Sequence, residues 1–129
     1  PSKWLVLPEI ISKEPLGPLV RHGDHQWGDV VRWSLNAMII AEELGISSAN
    51  VDASLGSNVP EVLRLLGVEG SYGEMLELAP DWAYQIIKQI GNYSESYEAN
   101  VGPDTPLEIG RGLNALWTQG GILYAPPFR

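Results

Sequence analysis

Apolar residues between positions 24 and 45 recur at spacings of three and four, the period of a helix with one buried face. They are Trp27, Val30, Val31, Leu35, Met38, Ile39, Ala41 and Leu44. Asp24 is a suitable N-cap, and Gly45 suits the left-handed position that ends a helix. Because residues 35–41 are apolar on nearly every side, the pattern predicts a helix with a deeply buried middle.

The remaining pattern predicts shorter helices up to position 80 and a long one after it. A short helix over Val62–Leu66 is expected to end at Gly67, and the capping-box spacing of Ser71 and Glu74 predicts another start. A long amphipathic helix is predicted from Asp81 to Val101, with Gly91 weakening it by about 1 kcal/mol relative to alanine.

A last helix is predicted from Thr105, because threonine, Pro106 and Glu108 stand at the cap, first and third helical positions. This helix should end at Gly120-Gly121. The residues expected to be buried along it are Ile109, Leu113, Leu116 and Trp117. The tail from Ile122 onward is proline-rich and is expected to be extended.

Two segments near the N-terminus read as strands. Trp4–Leu7 is short and apolar, and Pro15–Arg21 contains two prolines, which exclude a helix and favour an edge or crossing strand. The predicted fold class is therefore mainly α with a few short N-terminal β-strands. Because an isolated strand pair is marginally stable, these strands should belong to a sheet whose other strands lie outside this chain.

Composition excludes several classes of function. The chain has 129 residues, enough for one small domain, and 16 acidic against 8 basic residues give a net charge of −8. This charge opposes binding to nucleic acid or to anionic membranes. The chain has no cysteine, which excludes disulfides and thiolate metal sites.

Metal-ligand residue types cluster only at His22-Gly23-Asp24-His25. Protein metal sites usually need three or more ligands, and Asp24 is better explained as a helix cap. We therefore predict no metal and no cofactor.

No residue pattern points to catalysis. There is no nucleophile elbow, and the carboxylate pairs Glu42–Glu43 and Glu74–Glu77 are expected on solvated helix faces. The segments 110–112 and 120–121 do not have phosphate-loop spacing and read as turns. The chain is therefore not expected to be an enzyme, and no catalytic residue is predicted.

Four tryptophans could line a ligand pocket: Trp27, Trp33, Trp82 and Trp117. At helical spacing, however, aromatic residues are more often part of the core. The core interpretation is favoured for all four.

Several stretches together resemble a known family. Residues 7–18, the segment Val20–Asp24 and Trp27 look like the part that closes the second lobe of type II periplasmic solute-binding proteins. Later stretches resemble the general L-amino-acid-binding branch, namely residues 41–46, 81–93, 100–103, 111–117 and 124–127. The resemblance covers nearly the whole chain, and its motifs are specific in combination.

The resemblance implies a C-terminal fragment of a two-lobed α/β protein that closes over an L-amino acid in the periplasm and delivers it to the membrane permease of an ABC transporter. Residues 1–23 would close the second lobe and cross back, and residues 24–129 would form a helical region packing on the first lobe. The hinge would include Pro15, Leu16, Gly17 and Pro18. The main ligand-binding residues are expected upstream of this chain, so Arg21 and Asp24 are given no ligand role.

Two alternatives stay open. One is a periplasmic enzyme on the same fold, and the other is a stand-alone helical domain that binds a partner. A fragment should expose the face that met the missing lobe, and could cover it by self-association.

Overall fold

The computed structural model describes residues 16–128 and, before them, residues 5, 7, 9, 11 and 12. The described chain is mainly helical, as predicted. Its helices are α1 (His25–Glu43), α2 (Val51–Ser54), α3 (Pro60–Leu65), α4 (Tyr72–Met75), α5 (Trp82–Ile90) and α6 (Tyr93–Asn100), followed by 3₁₀ turns at Gly112–Asn114 and Trp117–Gln119. Among the described residues, none of the helices combines the length and the apolarity required to span a bilayer.

The long helix α1 forms where the sequence predicts it. The Asp24 side chain accepts a hydrogen bond from the backbone N–H of Trp27 at 3.2 Å, which caps the first turn. Gly45 takes the left-handed conformation, with φ of 69°, just after the helix ends. Ala37 and Ala41 have no exposed surface, so the prediction of a deeply buried middle is confirmed.

The core lies where α1 packs against α3, α5 and α6. The side chains of Leu65, Leu66, Ile87 and Val51 are almost completely enclosed there. Alanines on α1 let the neighbouring helices approach closely, and the larger aliphatic side chains fill the remaining space. The helical bundle is therefore organised around a single central element.

The predicted helix from Asp81 to Val101 is instead two helices. Gly91 separates them with φ of 96° and ψ of −178°, a conformation essentially restricted to glycine. Asn92 then starts α6 with a capping box, accepting from the N–H of Glu95 at 3.0 Å while Glu95 accepts from its N–H at 2.8 Å. Apolar residues recur at helical spacing on both sides of Gly91. The glycine nevertheless ends α5, and the capping box at Asn92 begins α6.

Two expected caps do not form. Asp81 makes no cap bond to the backbone of α5 and accepts from the Gln85 side chain at 2.7 Å instead. Helix α4 exists, but Ser71 makes no cap hydrogen bond, so the predicted capping box is wrong. Both helices are held by packing rather than by these side chains.

The predicted helix after Thr105 does not form. Residues 101–128, which we call the C-terminal strap, run irregularly over the helices, with only 3₁₀ turns and an isolated bridge between Leu116 and Leu123. Glu108 has φ of 50°, which breaks a helix, and the Thr105 hydroxyl stabilises a turn by donating to the Gly102 carbonyl. Of the four residues expected to be buried, only Leu116 is, while Ile109, Leu113 and Trp117 are exposed.

Residues 16–21 form no strand, contrary to the prediction for Pro15–Arg21. A strand requires a partner for its backbone groups, and residues 16–128 contain no ladder that could supply one. In the first predicted strand, Trp4 and Val6 lie outside the described residues. Leu5 and Leu7, which are described, are exposed.

The break at Gly91 is testable by substitution. Gly91→Ala should lower the free energy of unfolding by about 1–3 kcal/mol or more, because the added Cβ would lie 2.8 Å from the Glu95 side chain in a glycine-only conformation. Gly28→Ala in α1 is the matched control. Its Cβ would meet only Val20, at an ordinary 3.6 Å, so it should stabilise the protein by roughly 0.5–1 kcal/mol. Urea unfolding measures both, and equal effects would contradict this interpretation of the break.

Candidate functional site

The described part of the predicted hinge is an exposed, extended segment. Leu16 and Leu19 are 91% and 97% exposed, and a Cβ added to Gly17 would meet nothing within 4 Å. Pro15 lies outside the described residues. The segment Leu16-Gly17-Pro18 therefore does not pack on the helices, and its role as a hinge stays a prediction.

The turn from His22 to His25 is exposed at the start of α1. The carboxylate of Asp24 is already occupied by its cap bond to Trp27. Within the described part of the chain, no three side chains of the metal-ligating types come together. The geometry here fits the capping interpretation of Asp24.

The four tryptophans do not line one pocket. Trp33 and Trp82 meet at Phe128, with ring centroids 5.1 Å and 6.2 Å from it, and Tyr72 adds a third contact at 5.2 Å. This aromatic cluster buries the end of the strap. Trp27 and Trp117 are half-exposed, which the core interpretation did not predict for them.

The side chains of Glu42 and Arg111 form the most enclosed ion pair among the described residues. One guanidinium nitrogen lies 3.0 Å from each carboxylate oxygen, and the Glu42 and Arg111 side chains are only 9% and 16% exposed. The guanidinium also lies over the rings of Tyr93 and Tyr97, 5.4 Å and 5.2 Å from their centroids. Burial strengthens each of these contacts, so the pair joins the strap to α1 and α6.

The prediction of a solvated Glu42 is therefore wrong. Two features of the sequence could have indicated an arginine site: Tyr93 and Tyr97 share one helix face at spacing i, i+4, and Arg111 stands between two glycines. Only the fold brings them to the end of α1. The neighbouring Glu43 is also engaged, because it accepts from the Trp117 indole N–H at 3.1 Å.

A second polar cluster joins the loop after α1 to the start of α6. Asn92 is buried and donates to the Ile46 carbonyl at 2.8 Å. Glu95 accepts from the backbone N–H and the hydroxyl of Ser48 as well as from Asn92. Burial raises the pKa of Glu95, but the hydrogen bonds from Ser48 and Asn92 outweigh it, so the pKa lies below its ordinary value.

These clusters stabilise structure and do not suggest chemistry. Each of the enclosed carboxylates is satisfied by donors. Glu42 is paired with Arg111, and Glu95 accepts from the Ser48 hydroxyl and from two backbone N–H groups, which lower its pKa despite burial and make it a weak base toward that hydroxyl. The described residues could contact a partner through exposed apolar side chains. Large apolar side chains stand exposed along residues 16–20 and along the strap, including Leu107, Leu113, Ile122 and Tyr124.

The fold is that of part of a periplasmic binding protein. A solved ABC-transporter periplasmic binding protein from Brucella ovis, determined with glutathione bound, matches 97% of the chain with a TM-score of 0.91 and 52% sequence identity. The match covers 40% of that protein. The family resemblance predicted from the sequence is thereby confirmed at the level of structure.

Curated relatives specify the class further. YhdW of Escherichia coli (strain K12), a candidate amino-acid ABC transporter-binding protein, is 58% identical over the whole chain. The glutamate/glutamine/aspartate/asparagine-binding protein BztA of Rhodobacter capsulatus is 56% identical over 97% of it, and the general L-amino acid-binding periplasmic protein AapJ of Rhizobium johnstonii is 55% identical over all of it.

The names of these relatives describe amino-acid-binding proteins rather than enzymes, and that of YhdW places it with an ABC transporter. The chain spans about 38% of the length of these relatives. No protein-family model matches it.

The first testable prediction for this region concerns the Arg111–Glu42 ion pair. Arg111→Met should lower the free energy of unfolding by roughly 3 kcal/mol, because it leaves the enclosed Glu42 carboxylate without its partner. The control is Arg32→Met, which breaks an exposed pair with Asp29 at 3.5 Å and should cost under about 1 kcal/mol. Denaturant unfolding compares the two, and equal losses would mean that the Arg111 pair behaves as a surface pair.

The pH dependence of stability tests the Glu95 cluster. Because the folded-state pKa of Glu95 lies below its ordinary value of 4.5, its contribution is fully present above that pH and is lost as pH falls through the folded-state pKa. Glu95→Gln keeps a capping side chain but removes the charge. We expect this variant to be less stable at neutral pH and to lose less stability on acidification than the wild type.

Glu98→Gln is the matched control, since Glu98 is exposed on the same helix. Its unfolding free energy should follow the wild-type pH profile. A Glu95→Gln profile parallel to that of the wild type would contradict the assigned role of the Glu95 charge.

Proposed function

We propose that this chain is the C-terminal portion of a periplasmic protein that captures L-amino acids and delivers them to the membrane permease of an ABC transporter. The observation that supports it most is the structural match over 97% of the chain to a periplasmic binding protein at 52% identity. The names of the relatives point to amino acids as a class, because one binds acidic residues and their amides and another binds L-amino acids generally.

The role of this portion is mechanical. Residues 1–23 close the second lobe and cross back through the hinge at Pro15, Leu16, Gly17 and Pro18, and residues 24–129 pack on the first lobe. The exposure of Leu16 and Leu19 supports this, since apolar side chains so fully in contact with water gain from a covering surface. The buried middle of α1 supplies a rigid body, and ligand bridging both lobes favours the closed state.

The ligand-gripping residues lie in the rest of the protein. An amino acid needs a cation for its carboxylate and an anion for its amino group. The Asp24 carboxylate is used by its helix cap, and the enclosed guanidinium of Arg111 is used by Glu42. Neither of these two groups is therefore free to bind an amino acid.

The alternative of a periplasmic enzyme on the same fold has less support. It requires an enclosed carboxylate free for proton transfer, whereas the two most enclosed carboxylates described above, Glu42 and Glu95, are each bound by donors. A stand-alone interaction domain is opposed by the apolar side chains exposed in two separate stretches, residues 16–20 and the strap.

Calorimetric titration with a panel of L-amino acids tests the proposal. The comparison is between this chain and a chain extended upstream to the length of its relatives. We expect saturable heats from the extended protein only, because the ligand groups lie outside the present chain. Binding by the present chain alone would place the pocket within it and would contradict the proposed division of labour.

The hinge can be tested in the extended protein. Gly17→Ala should leave the unfolding temperature unchanged, because the added methyl meets nothing within 4 Å, but should change amino-acid affinity a few-fold by restricting the backbone. Gly110→Ala, which also meets nothing within 4 Å, is the control and should leave affinity unchanged. Equal affinities for both variants would argue against a hinge at Gly17.

A further inference from the structure

A small pocket of about 200 Å³ opens between the end of α1 and the strap. Ile40 of α1 and Leu44 directly after it give the pocket an apolar lining, and Trp117 and Tyr124 of the strap also line it. The two rings are 5.9 Å apart and meet edge to face at 69°. The carboxylates of Glu43 and Glu61 stand at the same pocket, so the charged groups among these six residues are all acidic.

The neighbouring site in the same protein shows what such a set of groups binds. There, Glu42 holds the guanidinium of Arg111 while Tyr93 and Tyr97 contact it through their rings. Glu43, the next residue, offers a carboxylate beside the ring pair Trp117 and Tyr124. Within residues 16–128, no arginine or lysine lies over this second ring pair.

The charges around the pocket also favour the binding of a cation. The last turn of α1 carries no basic residue of its own, and Arg111, which reaches this end of the helix, is already paired with Glu42. Glu43 therefore adds its charge to the partial negative charge of the helix C-terminus. The Trp117 indole N–H bonds to one oxygen of Glu43, which orients the carboxylate toward the ring. Both rings remain half-exposed or more, so a ligand can reach their faces.

We propose that this pocket binds a guanidinium group carried on a short alkyl stem. A planar cation stacks on indole and phenol rings, pairs with carboxylates and leaves its stem on the apolar lining formed by Ile40 and Leu44. The group comes either from a small molecule or from an arginine side chain in the rest of a longer protein. The pocket is separate from the predicted amino-acid site, and its occupation does not depend on the transport proposal.

Titration of the ¹⁵N-labelled chain with n-butylguanidinium chloride, at constant ionic strength, tests this. The indole N–H resonance of Trp117, assigned with Trp117→Phe, should shift in a saturable way. Neutral n-butylurea should cause no saturable shift. Glu43→Gln and Glu61→Gln should each weaken binding roughly tenfold, equivalent to about 1.4 kcal/mol, whereas the exposed Glu69→Gln should not. Thermal unfolding of each variant checks that the fold is intact.

The two sources of the guanidinium group give different outcomes in this experiment. Saturable binding by the present chain that is lost in a chain extended upstream identifies an arginine of the longer protein as the natural occupant. Binding retained in both identifies a free ligand. The proposal is overturned by the lack of a saturable shift in the present chain, by equal binding of the neutral urea, or by affinities that both carboxylate substitutions leave unchanged.

Discussion

The burial of the middle of α1 is the constraint on which the rest of the structure depends. Ala37 and Ala41 have no exposed surface, and Ile39 and Ile40 are nearly as enclosed. Such a helix cannot stand in water on one side, so α3, α5 and α6 must surround it. The Glu42–Arg111 pair, the Glu43–Trp117 bond and the stacking of Trp33 on Phe128 then hold the strap to this helix.

Polar contacts decide how the irregular parts are held. The strap contains few regular hydrogen bonds, and it is joined to the helices by the Arg111–Glu42 pair, the Trp117–Glu43 bond and the burial of Phe128. In the other polar cluster, Asn92 and Glu95 satisfy the backbone of the loop after α1. Because the Arg111–Glu42 pair and the Asn92–Glu95 cluster are largely enclosed and satisfied, each contributes to a specific arrangement as well as to stability.

The sequence predicts the parts of the fold that depend on local information. The spacing of apolar residues and the Asp24 cap define α1, and the family resemblance defines the class of protein. The pattern fails where two local signals compete, as at Gly91, where apolar periodicity continues across a backbone break. It also fails where partners lie far apart, because nothing near Arg111 in the sequence indicates that Glu42 would meet it.

The distances along the chain between these partners affect how the protein folds. Arg111 and Glu42 are 69 positions apart, and Trp117 and Glu43 are 74 apart. During synthesis, α1 therefore emerges long before the strap that covers its end. Loop closure over such separations slows folding, and the apolar surface of α1 stays open to other chains in the meantime. Until the strap is in place, this helix is therefore the part of the chain most open to wrong contacts.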